Sequence, residues 1–165
     1  MDHEEAGVEI IHGNDEYTTD QLLEQCQGNA TSMLLATLHV VTERGFTVDE
    51  WAAGVASVFA RTWVNPQGWR PAPFLDALLT NFRALGARVE SACFDGNKSR
   101  ATISGYPNTA LIDALAVDAA YGDAMFRVGA ALARELGLAL TWSHDRAAGL
   151  VMLDVGWAQH SATGR

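Results

Sequence analysis

Between Pro107 and Val155 the chain carries a pattern that few folds can accommodate. Asn108 opens a long apolar helical run, ALIDALAVDAAYGDAMFRVGAALAREL, and Gly137 closes it, with short alternating runs following at Leu138–Ser143 and Gly149–Val155. That order predicts one helix and then a β-hairpin. A helix apolar over most of its circumference has to be covered on several sides, so the preceding segments are expected to form its cover. A bend or break is expected near Ala120-Tyr121-Gly122, because glycine lowers helix propensity by about 1 kcal/mol relative to alanine.

The upstream segments supply candidates for that cover. Thr18 or Thr19 starts a polar helical turn, TDQLLEQ, which Gly28-Asn29 interrupts. Asn29 or Thr31 can cap a second helix, SMLLATLHVVTER, apolar on several sides and ended by Gly45. Thr47 and Glu50 make a capping box, with Phe46 and Trp51 placed as a hydrophobic staple. Trp51, Val55, Val58, Phe59 and Thr62 then share a helical face, and Asn65-Pro66 ends the helix. Pro73 suits the first turn of a third helix, FLDALLTNFRAL, with Phe74, Leu75, Leu78, Leu79 and Phe82 as its buried stripe and Gly86 as its stop.

Periodicity then falls from about 3.6 to 2. Ala87–Phe94 and Arg100–Tyr106 flank Asp95-Gly96-Asn97, a hairpin signal. The expected fold is α+β: an antiparallel sheet of four or five strands built from two hairpins, with a long central helix and three N-terminal helices packed against it. Residues 1–17 read as an acidic tail whose Val8-Glu9-Ile10-Ile11 could add an edge strand, 18–156 as a single domain, and 157–165 as a loose C-terminal tail.

Charge narrows the function classes. Eight of the 20 acidic residues fall within residues 1–24, which hold no Lys or Arg, so the rest carries 12 acids against 11 bases. A near-neutral globular part lacks the basic patch that neutralises nucleic-acid phosphates. Two cysteines, Cys26 and Cys93, are too few for a disulfide framework or a thiolate zinc site. With no apolar run of bilayer length and no signal-like N-terminus, the expectation is a cytoplasmic protein that does not enter membranes.

No high-specificity catalytic motif stands out. His39, inside an apolar helix, reads as a buried neutral histidine or, less simply, a haem ligand. The other histidines lie in tails or turns at no ligand spacing, so neither a metal nor a cofactor is expected. Ser143-His144-Asp145 holds the residue types of a triad, but neighbours in sequence point in different directions, so a solvated turn is the reading. Asp123 and Arg127, four apart, suit an ordinary helix-surface pair. Asp118 interrupts an apolar stretch and either faces a pocket or points outward, and Gly122 and Gly129 read as close-packing positions. Cys93 is a small core hydrophobe or, if a base lies near, a nucleophile.

The hairpin ARVESACFDGNKSRATISGYP, the acidic-aromatic helical segment AVDAAYGDAM and the hairpin LALTWSHDRAAGLVMLDV follow one another between about Leu85 and Val155. In layout this section resembles the 4-vinyl-reductase-like ligand-binding domains and the related L-2-aminothiazoline-4-carboxylate hydrolase-like proteins. Members often carry cysteines after the second strand and near the last strands; here those places hold Gly105-Tyr106-Pro107 and Val151-Met152-Leu153. The resemblance implies a small α+β domain that encloses an apolar or aromatic ligand, often as a homodimer, without chemistry that depends on those cysteines.

Three functions are therefore in view. The first is a non-catalytic domain binding an apolar or aromatic small molecule between the long helix and the helices at 31–44 and 48–64. Trp51, Phe59, Trp63, Tyr106, Tyr121 and Phe126 would form its walls, and His39 or Asp118 the orienting polar group. The second is a hydrolase of a small heterocyclic or amide substrate using Asp118, Cys93 or His39. The third is a homodimeric assembly module.

Overall fold

The computed structural model describes residues 17–64 and 68–158 of the 165-residue chain. Three helices, α1 (Thr19–Thr42), α2 (Val48–Ala60) and α3 (Pro71–Ala84), precede the hairpin β1 (Arg88–Cys93) and β2 (Lys98–Ser104). A short α4 (Thr109–Ala114), a 3₁₀ turn (Ala119–Asp123) and α5 (Ala124–Glu135) lead to the second hairpin, β3 (Leu138–Asp145) and β4 (Leu150–Trp157). The strands form one antiparallel sheet in the order β1-β2-β4-β3. The chain is α+β, as its pattern indicates. The edge strand expected at Val8–Ile11 and the helix end expected at Asn65-Pro66 lie outside the described residues, whereas Trp157, expected in the tail, belongs to β4.

The first helix corrects the two-helix reading. Its capping box joins Thr18 and Gln21, and it runs unbroken through Gly28-Asn29. A glycine costs a helix only about 1 kcal/mol, and Gln25 Nε2 donates to Asn29 Oδ1 at 2.9 Å across the interruption. Only Thr31, Leu35 and Leu38 of α1 are buried, a narrow seam rather than a helix apolar on several sides. His39 is exposed, so the buried-histidine reading does not hold; it lies one position beyond the seam.

The second helix starts at its capping box, with Thr47 hydrogen-bonded to Glu50 in both directions. Those bonds, backbone first, hold the Glu50 carboxyl below the usual carboxylate range. Its buried face is Ala52 and Ala56, with Trp51 and Val55 half-buried and Val58 and Phe59 exposed. The large-residue face expected from spacing loses because α2 packs closely on α5, and alanines let two helix axes approach. Helix α3 keeps its stripe, Phe74, Leu75, Leu78, Leu79 and Phe82 all buried; it begins at Pro71, with Pro73 in its first turn as expected. Proline at the first helical position gives up an amide that has no partner there anyway.

The long helix is three pieces. α4 ends with Ala116 in the left-handed region at φ 51°, where Val117 N–H reaches back to Ile112 O. The break thus falls before the glycine, and Asp118 caps the 3₁₀ turn by accepting from Ala120 N at 2.8 Å. What remains central is α5, between α2 and the sheet. A Cβ on Gly129 would stand 2.9 Å from Leu140 Cδ2 and 3.3 Å from Leu78 Cδ1, so this glycine lets α5 press against β3 and α3. Leu138, Leu140, Val151, Leu153, Val155, Ala101 and Ile103 form the sheet's covered face. The opposite face carries the exposed Arg100–Asp154 and Lys98–Asp154 pairs.

Candidate functional site

Alternation along β3 sets the site. Leu138, Leu140, Trp142 and His144 share one face of the strand. The first two are in the core, Trp142 is half-buried, and the side chain of His144 is 27 % exposed where the strand leaves the core. Opposite them stands Asp123, at the junction of the 3₁₀ turn and α5. Its backbone is helical, φ −86° and ψ −3°, so the 3₁₀ turn runs straight into α5, Asp118 caps the joint segment, and the Asp123 carboxylate makes no capping bond. Its Oδ1 lies 2.8 Å from His144 Nε2, and its Oδ2 accepts from Trp142 Nε1 at 3.3 Å.

Aromatic rings hold this pair from behind. Phe126, fully buried, stacks on Trp142 at 5.7 Å and meets the His144 ring edge-on at 5.9 Å. It also contacts Tyr106 and Phe82, at 5.5 and 4.9 Å. Burial, and then the Asp123 charge, push the Tyr106 phenol above the usual tyrosine range, against the backbone hydrogen bond of Met125.

The pair faces a cleft of about 770 Å³. One wall is Gly105-Tyr106-Pro107 with Thr109; a second is Ala119, Ala120 and Gly122; the third is the β3–β4 hairpin, from Asp145 and Arg146 to Gly149-Leu150-Val151. Close backbone packing sets these walls: a Cβ on Gly105 would lie 3.1 Å from Gly86 O, and one on Gly122 3.1 Å from Pro107 Cβ and Cγ. The Tyr106–Pro107 peptide bond is cis. Asp145 is occupied in holding the turn, accepting from Ala148 N at 3.1 Å.

No family model matches this chain, and no curated protein matches it at a significant level.

Of the residues expected at a site, the structure places Tyr106 in the cleft wall and Phe126 directly behind it. The others disperse. Tyr121 belongs to a small core with Leu35, Leu38, Ile112 and Ala124, which fills the space where α1, α4 and the start of α5 meet and against which Trp51 packs. Its hydroxyl is bonded to Thr42 Oγ1. Trp63 stacks with Trp69 and Phe74. Phe59 and His39 face solvent, and Asp118 is exposed as a cap. Cys93, expected in the core, is exposed at the end of β1 because that edge strand has almost no buried residues. A groove of about 430 Å³ between α2 and α5 is lined by Ala53, Ala131, Arg134 and Glu135, none of them an expected residue.

Two further corrections concern the pair itself. His144 is not in a solvated turn but in β3, and continuing the Leu138–Leu140–Trp142 alternation by one step would have found it. Asp123 does not pair with Arg127; its carboxylate turns to β3, and Arg127 Nη1 meets Asp49 Oδ1 at 2.6 Å instead. Among the described residues no group of three or more His, Cys, Asp or Glu could hold a metal ion, and no helix is long and apolar enough to cross a membrane.

Proposed function

We propose that the chain is a small-molecule-binding domain whose guest occupies the cleft between the Tyr106-Pro107 segment, the 3₁₀ turn and the β3–β4 hairpin. The observation that carries this reading is the Asp123–His144 pair, braced by Trp142 and Phe126 and set in the wall of a concavity of ligand size. The hairpin, helix, hairpin layout, which resembles that of 4-vinyl-reductase-like ligand-binding domains, is in keeping with the same reading.

Trp142 is the natural reporter. Apolar and aromatic compounds are expected to quench its fluorescence, and Trp142→Phe to remove most of that response while Trp51→Phe preserves it. Quenching lost with Trp51 and retained without Trp142 would place the guest among the helices and end this reading.

A hydrolase acting on a small heterocycle or amide is the second reading, and it moves to the same pair, because an imidazole oriented by a carboxylate is the usual start of general-base catalysis. It requires that any amide-hydrolysing activity of the purified protein be lost in His144→Gln and kept in Cys93→Ala.

A further inference from the structure

The cleft's chemistry goes further than the presence of a guest, on the premise that the guest binds there. An ionised carboxylate accepts hydrogen bonds and cannot donate them. Both Asp123 oxygens are engaged, one by the Trp142 N–H and the other by His144 Nε2, so in the neutral imidazole the proton that faces the carboxylate is on Nε2. A neutral imidazole has only one N–H, which leaves Nδ1 as a lone-pair acceptor. Among the described residues no donor reaches Nδ1. The bond to Asp123 and the edge-on contact with Phe126 orient the ring, which reduces the ordering needed when a guest binds.

The remaining lining sets the body of the guest. Pro107, Ala119, Ala120 and Val151 offer apolar surface. The charged and titratable groups near the histidine are Asp123, Asp145, Arg146 and Tyr106, all on the cleft walls. Asp123 and Asp145 against Arg146 leave these walls with one net negative charge, which disfavours an anion at the histidine.

We infer that this cleft selects largely apolar molecules that present one N–H or O–H donor to Nδ1 of His144. The test is an NMR titration of the full ¹⁵N-labelled chain with indole, 1-methylindole and indole-3-carboxylate, following the cleft amides and the His144 ring nitrogens. Indole is expected to saturate at a concentration roughly tenfold lower than 1-methylindole, the size of one net hydrogen bond, and indole-3-carboxylate to bind weakest. His144→Phe is expected to level indole and 1-methylindole, and the free wild-type protein is expected to show its ring proton on Nε2. Equal binding of indole and 1-methylindole to the wild-type cleft, tighter binding of the carboxylate, or a proton on Nδ1 overturns the donor rule and leaves the cleft standing as the site. If none of the three probes shifts the cleft amides, the cleft reading falls as well.

Discussion

Asp123 and His144 are 21 residues apart in sequence and 2.8 Å apart in space, and each is where it is because of a different periodicity. The histidine extends the two-residue alternation of β3, and the aspartate ends the 3₁₀ turn that replaces the middle of an apolar helical run. Asp123→Ala leaves the Trp142 indole N–H and the His144 ring without their shared acceptor. Since the pair is about a third exposed, solvent screening reduces the loss to about 1 kcal/mol. Urea unfolding of the variant measures that loss; an unchanged midpoint would mean the pair is ornamental.

Tyr106 gives the protein an alkaline limit. Its phenol is raised in the folded state, chiefly by burial, so at pH values below the usual tyrosine range both states are neutral and the stabilisation is complete. Above about pH 10 the unfolded chain ionises first, and stability falls by about 1.4 kcal/mol per pH unit from this group until the folded phenol ionises too. Unfolding curves for Tyr106→Phe are expected to decline less steeply with pH than wild type over that range. Parallel declines would remove Tyr106 as the cause.

Ala116 sits in the left-handed region at the end of α4, where a Cβ is strained by roughly 1 kcal/mol or more. Ala116→Gly relieves this at the expense of a more flexible unfolded chain. A net gain of about 0.5 kcal/mol is expected in chemical denaturation, and a loss would contradict the backbone geometry that breaks the long helix.

Phe126 joins the core to the site, fully buried and in contact with Phe82, Tyr106, Trp142 and His144. Phe126→Ala is expected to cost about 3–5 kcal/mol and Phe126→Leu under about 1.5. The leucine variant is also expected to loosen the His144 ring, visible as averaging of its NMR signals.

What could be read in the sequence was what is encoded locally. The Thr47–Glu50 box, the stripe of α3 and the Asp95-Gly96-Asn97 turn each depend on residues within a few positions, and each stands as expected. The misses came where distant contacts chose between local alternatives. Helix α2 could bury its large residues or its alanines, and only the approach of α5 favours Ala52 and Ala56. The helical run from Asn108 to Gly137 carries no strong breaker at Ala116, but Ile112 and Tyr121 are both anchored in the small core beside α1, and the chain between them bends to suit. His144 was hidden by ending its strand at Ser143.

A crystal structure of the chain soaked with a set of flat aromatic fragments would locate the guest. Density is expected in the cleft, between Pro107 and the β3–β4 hairpin and within hydrogen-bonding distance of His144. Fragments found instead between α1, α2 and α5, with the cleft empty, would contradict this placement.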